Sequence, residues 1–248
     1  MQRFLGLLWA GILATGLIGF TGVSQAQSVQ TLASSPALEI QSTRVQYLKD
    51  LDLLVFEQQV NGVVGATLPQ AAGQLDGAPV LGYVFPTTLS PEAVGFSASD
   101  GILALAVTSH PDFDDTPLWD EDNDLNYAND GTIWHSHWVV LTPDDRVPGG
   151  LSVLEFSQED EAVVLPPTHP GMAMYLDSPG FSVVTDQSTL RVLVPAQRVN
   201  HRTDFNFDGV TAYMEVNTSD PNRPLLGVYE VYSVASGDLS LPYGVESR

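Results

Sequence analysis

The apolar residues of this chain fall into about ten short runs, and this spacing restricts the fold to one built from strands. Turns rich in the 17 prolines and 21 glycines separate the runs. Several runs have the period of two that places apolar side chains on one face of a strand, and residues 101–107 are continuously apolar, as in a buried strand. The best helix start, Ser90-Pro91-Glu92, is soon followed by Gly95. The pattern predicts an all-β fold, a single antiparallel β-sandwich of the jelly-roll or immunoglobulin-like type.

The composition supports one large domain and limits its partners. Of the 248 residues, 44% are hydrophobic, which is enough for a full core, and no internal repeat divides the chain. The formal net charge is −21, which repels nucleic acid and suits a cation or a neutral ligand such as a glycan. The absence of cysteine excludes disulfides, cysteine–zinc sites and a catalytic thiol. We predict a flexible tether at residues 27–36 and the β-sandwich domain at residues 37–248.

The N-terminal residues 1–26 have the three parts of a signal peptide. Arg3 supplies the positive start, residues 4–20 form an uncharged apolar run, and Ser24 and Ala26 are the small residues that precede a cleavage site. An uncleaved anchor is the alternative, because the apolar run is near the lower limit for a spanning helix. We expect cleavage after Ala26, export to the periplasm or the medium, and no stable membrane insertion afterwards.

Two segments carry a resemblance to known β-sandwich families. Residues 37–62 read ALEIQSTRVQYLKDLDLLVFEQQVNG, with an alternating strand, a polar turn and a second strand that ends near glycine. Residues 190–199 read LRVLVPAQRV, a strand followed by proline. Both segments, about a fifth of the chain, resemble DOMON domains and family 9 carbohydrate-binding modules. The resemblance implies a sandwich fold. Those families bind sugars or haem, but none of their ligand residues is matched here.

The stretch from His110 to Trp138 concentrates the residues that could carry a function. It contains three of the five histidines, three of the four tryptophans and no lysine or arginine. Its eight carboxylates are Asp112, Asp114, Asp115, Asp120, Glu121, Asp122, Asp124 and Asp130. An acidic loop that leads into a His-x-His strand can assemble a cation site, an aromatic platform for a ligand, or both.

Part of this stretch follows the spacing of a calcium-binding loop. Asp120, Asp122, Asp124 and Asn126 lie at positions 1, 3, 5 and 7 of such a loop, where oxygen ligands point inward. Leu125 occupies the position that favours glycine, and Gly131 the position of the bidentate glutamate, so Asp130 or Asp114 would have to replace that ligand. The spacing predicts a Ca²⁺ site, and a solvated acidic loop is the alternative.

The His-x-His pair suggests a second kind of metal site. His135 and His137 share one face of a strand, and such a pair chelates a transition metal such as Zn²⁺ or Cu²⁺ when a third ligand is added. His110, Asp112 or His169 could supply that ligand. The alternative is a half-exposed strand face whose histidines are hydrogen-bonded to the acidic loop.

Aromatic residues offer a third interpretation. Trp119 and Tyr127 lie in the polar loop and could stack on a sugar, whereas Trp134 and Trp138 share the opposite strand face and suit the core. We find no catalytic serine elbow, phosphate-binding loop or dinucleotide fingerprint. The sequence thus predicts an exported, acidic, non-enzymatic protein that binds a divalent cation, with Ca²⁺ favoured over Zn²⁺ or Cu²⁺. A carbohydrate-binding module and a metal-dependent enzyme based on His135 and His137 are the alternatives.

Overall fold

The computed structural model describes residues 32, 34–127, 129–157 and 159–248, and these residues form an all-β fold. The predicted signal peptide and most of the predicted tether lie outside them. The strands are β1 (Ile40–Leu48), β2 (Leu53–Val60), β3 (Pro79–Pro86), β4 (Ile102–Ser109), β5 (His135–Pro143), β6 (Leu151–Val153), β7 (Leu176–Asp177), β8 (Ser182–Asp186), β9 (Thr189–Pro195), β10 (Asn206–Phe207), β11 (Val210–Val216), β12 (Leu226–Val234), β13 (Tyr243–Gly244) and β14 (Glu246–Ser247).

Apart from Leu32, helical structure in the described residues is confined to short 3₁₀ turns. They span Pro36–Leu38, Pro91–Val94, Asp130–Thr132 and Ala196–Val199. The predicted helix start at Ser90 gives only one such turn, which Gly95 ends in the left-handed conformation with φ 100°. Within the described part of the chain, no helix has the length and hydropathy needed to cross a membrane.

A five-stranded sheet contains the segments that resemble known sandwiches. Its order is β14-β1-β2-β9-β8. The β1–β2 and β8–β9 pairs are antiparallel hairpins, as the period-2 spacing and the polar turns predict, and β14 adds to the edge of β1 in parallel. Side chains on the inner face of this sheet, such as Val45, Phe56 and Val192, are fully buried. The sheet therefore packs on another layer.

That layer is a seven-stranded sheet that closes on itself. Its order is β4-β3-β11-β12-β6-β5-β7, and β5 also pairs with β4, so six strands form a closed barrel. The all-β prediction is confirmed. The predicted arrangement is corrected, because β4, the first strand in this order, also pairs with β5, so the sheet closes and does not form half of a sandwich of two open sheets. Closure leaves the barrel strands without the free edge that a sandwich sheet retains.

The strands of the closed sheet separate two apolar cores. Their outer face packs on the five-stranded sheet, where Phe56 lies edge-on to Phe85 and Trp138 at centroid distances of 5.4 and 6.2 Å. Their inner face lines the barrel with small and aliphatic side chains, including Ala106 and Val139. Successive residues of β5 point alternately to these two cores. This alternation places Trp138 in the first core and His137 on the barrel side.

Candidate metal centre

Strand register brings the three predicted histidines of the acidic stretch to one end of the barrel. His110 directly follows β4, and His135 and His137 begin β5. In the pairing of these two strands, Thr108 lies opposite His135 and Ala106 opposite His137. All three imidazoles are buried, with exposed fractions of 1%, 6% and 1% in chain order. The alternative of a half-exposed strand face is therefore wrong, because every residue of β5 from His135 to Leu141 is buried.

Asp115 completes this group, which we call the histidine centre: His110, Asp115, His135 and His137. Its Oδ1 atom lies 3.4, 3.2 and 3.4 Å from Nε2 of His110, His135 and His137 respectively. The Nε2 atoms of His110 and His135 are 2.9 Å apart. Asp115 is itself buried, with 7% of its surface exposed. One atom from each of four side chains therefore faces a common point, and this group could hold a metal ion.

Hydrogen bonds fix the tautomers of His110 and His135. Nδ1 of His110 lies 2.8 Å from the carbonyl oxygen of Phe113, and Nδ1 of His135 lies 2.6 Å from that of Ile133. A carbonyl oxygen only accepts, so each Nδ1 must carry the hydrogen and donate it. In the neutral imidazoles, Nε2 is then a bare lone pair directed at the centre.

A hydrogen bond to Ser178 fixes His137 in the same tautomer, with hydrogen on Nδ1. The hydroxyl of Ser178 donates its single hydrogen to the backbone carbonyl of Asp115 at 2.6 Å, so it can only accept from Nδ1 of His137 at 3.1 Å. Among the described residues, Nε2 of His137 has no hydrogen-bond partner. When all three imidazoles are neutral, three lone pairs and a carboxylate oxygen are aimed at one another, and a proton or a metal ion between them removes the repulsion.

Burial and the close approach of these side chains both shift the pKa values of the buried groups. Burial opposes ionisation of Asp115, but the neighbouring imidazoles outweigh burial and hold its pKa well below the ordinary value. Burial likewise opposes the charged form of His135, but hydrogen bonds and charges from Asp115 and Glu121 raise its pKa to about 10. Burial lowers the pKa of His137 to about 3. Without a metal, the centre therefore keeps one proton on His135 beside the ionised Asp115.

Glu121 supports the centre from the outer side. Its Oε1 lies 2.9 Å from Nδ1 of His135, which also approaches the Ile133 carbonyl. Burial raises the pKa of this carboxyl group. A carboxylate behind a metal-binding imidazole orients the ring and increases its basicity. Asp115 and Glu121 belong to the acidic stretch, but the sequence did not single out either of them as a site residue.

Part of the predicted calcium loop forms a second group, which we call the acidic group: Asp120, Asp122 and Asp130. One oxygen from each lies within 4.8 Å of the others. Asp130 is fully buried, and its Oδ1 accepts from the Glu121 amide at 3.0 Å, whereas its Oδ2 has no hydrogen-bond partner among the described residues. Asp120 accepts from the Leu125 amide at 2.7 Å. The loop curls in this way because Leu125 adopts φ 67°, although the position favours glycine.

Four other predicted carboxylate or imidazole ligands, Asp112, Asp114, Asp124 and His169, belong to neither group. The carboxylate of Asp112 accepts from the amides of Ala72 and Gly73 at 2.8 and 2.6 Å, so it ties two loops together. Asp124 accepts from the Asn126 amide at 2.7 Å, a contact within the loop. His169 donates through Nδ1 to the Leu176 carbonyl at 2.8 Å. These hydrogen bonds to backbone groups indicate that the side chains stabilise loops and do not belong to a metal centre.

Of the aromatic residues considered for ligand binding or for the core, two lie at the surface and two pack inside the protein. Trp138 is 1% exposed, as predicted for a core residue, and Trp134 packs on Tyr83 at a centroid distance of 4.9 Å. Trp119 is 44% exposed and Tyr127 52% exposed. The Trp119 indole lies so close to Gly180 that a Cβ atom there would overlap it. Trp119 is thus seated against the backbone with part of its ring open to solvent.

Comparisons with family models, with curated proteins and with solved structures found no significant match to this chain. The resemblance to DOMON domains and family 9 carbohydrate-binding modules therefore stays a prediction. A fold by itself does not identify a function, so the function is argued from the chemistry of the two groups.

Proposed function

We propose that this protein binds a divalent transition-metal ion, with zinc favoured, at the histidine centre. The main support is the convergence of four acceptor atoms. Three of them are Nε2 atoms of imidazoles that donate their Nδ1 hydrogens to backbone carbonyls or to the Ser178 hydroxyl. Buried acceptors that face one another are costly unless a proton or a metal ion lies between them, and a metal ion can contact all four at once. Fixed tautomers with carbonyl or hydroxyl partners are also the usual outer shell of metal-binding histidines.

The donor set supports a transition metal. Imidazole nitrogen suits zinc, copper, iron and nickel, whereas calcium takes six to eight oxygens. Four donors at zinc bond lengths around a tetrahedral ion lie about 3.3–3.4 Å apart, close to the 3.2–3.4 Å between Asp115 Oδ1 and each Nε2. For this centre we therefore favour zinc over the calcium that the sequence favoured.

Calcium is instead proposed for the acidic group. That group offers only carboxylate oxygens, which match the preference of this ion. The specific support is Asp130, because a fully buried carboxylate oxygen without a hydrogen-bond partner among the described residues needs a cation or a proton. Asp130 and Glu121 also connect the two groups, since the Glu121 amide donates to Asp130 and its side chain approaches His135.

Metal titration of the purified, chelator-stripped protein tests the proposal. We expect one equivalent of Zn²⁺ to bind, and a cobalt-substituted sample to show the visible spectrum of a nitrogen- and oxygen-bound ion. Asp115→Ala combined with His137→Ala should abolish this binding. His201→Ala is the matched control, because that side chain is 64% exposed and lies outside both groups.

Two results would contradict the proposal. One is equal zinc uptake by the wild type and the Asp115→Ala, His137→Ala double variant, provided that far-UV circular dichroism shows both to be folded. The other is a wild type that binds no transition metal at all. Calcium-dependent melting that disappears with Asp122→Asn and Asp130→Asn separately tests the acidic group.

A further inference from the structure

The interior of the barrel is not filled by its own side chains. A cavity of about 140 Å³ lies inside the closed sheet, walled by side chains of β3, β4, β5, β11 and β12. Barrels of few strands are normally packed solid. Here small inward-facing residues, Ala106 on β4 and Ala212 on β11, leave the space open. A void of this size lowers stability, so a ligand that fills it would be favoured.

The wall of this cavity is polar at one end and apolar elsewhere. Its polar side chains are Thr108, His110, Asp115 and His137. Three of them belong to the histidine centre, and the Thr108 hydroxyl lies 3.5 Å from Nε2 of His135, the fourth member. The rest of the wall is apolar: mostly aliphatic, as in Val139 and Val228, with thioethers such as Met214 and one aromatic ring, Phe113. A sugar or a charged molecule would lose its hydration along that wall without receiving hydrogen bonds in return.

The cavity meets the histidine centre on one side only. His110, Asp115 and His137 contribute to the cavity wall, whereas His135 does not. An ion held by the four side chains would therefore present the face opposite His135 to the cavity. Zinc can expand from four to five ligands, so a donor atom arriving from the cavity can add to the ion there.

The shape of the cavity follows the strands. On β5 the wall runs from His137 through Val139 to Leu141, and Leu141 pairs with Ile102 at the far end. The four residue steps from His137 to Leu141 span about 13 Å. A dry apolar cavity of about 150 Å³ accepts a molecule the size of benzene, so the present cavity has room for about six carbons arranged along its length.

We propose that the barrel binds a short linear aliphatic molecule with a single oxygen-bearing head. The tail of about six carbons lies between Ala106, Val139 and Ala212, and the head binds the ion at the face formed by His110, Asp115 and His137. The position of the head rests on the proposed metal function, whereas the position of the tail depends only on the cavity.

Calorimetric titration of the zinc-loaded protein with straight-chain carboxylates of four to ten carbons tests this inference. Each added methylene should tighten binding about fourfold until the tail fills the cavity, near six carbons, after which the gain should stop. Benzoate serves as the compact alternative to hexanoate. Tighter binding of benzoate than of hexanoate would overturn the linear shape.

Variants that fill the cavity provide the second arm. Ala212→Leu, with Ala212→Val as the milder version, should weaken hexanoate binding at least tenfold while leaving zinc stoichiometry and the cobalt spectrum unchanged. Val184→Leu is the matched control, because it adds volume on a side chain of the five-stranded sheet that is 42% exposed. Unchanged hexanoate affinity in folded Ala212→Val would overturn the inference.

The two proposals fail in different ways. Metal uptake without saturable binding of any chain length rejects the cavity proposal and leaves the metal proposal standing. Absence of metal uptake rejects the metal proposal, and the metal-free protein should then still show tighter binding with each methylene. If it does not, the cavity proposal is rejected as well.

Discussion

Zinc affinity should rise about tenfold for each pH unit across the neutral range, because the ion must displace a proton from His135. In the metal-free protein the pKa of His135 is raised to about 10: burial opposes the charged form, but hydrogen bonds and charges from Asp115 and Glu121 outweigh it. Zinc binds only the neutral imidazole. The proton on His135 therefore competes with zinc below pH 10. His137 does not compete above about pH 4, because burial lowers its pKa to about 3.

The size of the change in zinc affinity follows from the difference between the pH of the experiment and the pKa of His135. From pH 7 to pH 10 the gain in affinity is about a thousandfold, or roughly 4 kcal/mol. The folding stability of the metal-free protein changes with pH in the opposite direction to zinc affinity. Its folded-state pKa exceeds the unfolded value, so His135 contributes stability that is fully present below pH 6.5 and is lost as pH rises through 10.

Competition with a chromophoric chelator at pH 6, 7 and 8 measures the slope, and calorimetry in two buffers counts the proton released. We expect about one proton per zinc ion from His135. His135→Gln should remove this contribution to the slope, whereas His201→Ala should preserve the wild-type value. A wild-type affinity that is independent of pH over this range would refute the reasoning.

Four further outcomes are expected. Ser178→Ala removes the acceptor that fixes the third imidazole and should weaken zinc binding about 10- to 100-fold in the same competition assay. Gly131→Ala should lower both the melting temperature and zinc uptake, because a Cβ atom there overlaps two backbone carbonyl oxygens; normal melting would contradict this. Calcium at a hundredfold excess over its Kd should stabilise the wild type by about 2.7 kcal/mol in chemical denaturation, and Asp122→Asn with Asp130→Asn should remove that gain. Intact mass of the exported protein should place its first residue at Gln27, and a retained leader would disprove cleavage.

The strands could be predicted from the sequence because the period of two is a local signal. The β1–β2 hairpin and the core position of Trp138 both follow from that alternation. Closure of the barrel does not follow from the alternation. Alternation decides which face of a strand a side chain occupies, but it does not decide which strand pairs with which. The pairing of Leu105 with Trp138 is one example. The same limit explains why the histidine face was predicted to be half exposed.

The histidine centre was predictable where strand geometry defines it. His135 and His137 are two residues apart on β5, and His110 directly follows β4, the strand that pairs with β5. Asp115 lies in a loop, where no period relates one residue to the next, and the sequence does not distinguish it from its neighbour. The fold does: Asp114 binds Thr116, whereas Asp115 turns inward to the imidazoles.

The ligands of the histidine centre are also close in the chain, and this affects the order of folding. His110 and His135 are 25 residues apart, and together they flank the seam where β4 and β5 close the barrel. Contacts between nearby residues form faster than those between distant ones, and the seam is more local than the pairing of β3 with β11. An ion captured early would join β4 to β5 before the remaining barrel strands arrive. Refolding with zinc present should then be faster than refolding without it, which would make the ion a nucleation aid for a chain that has no cysteine to cross-link.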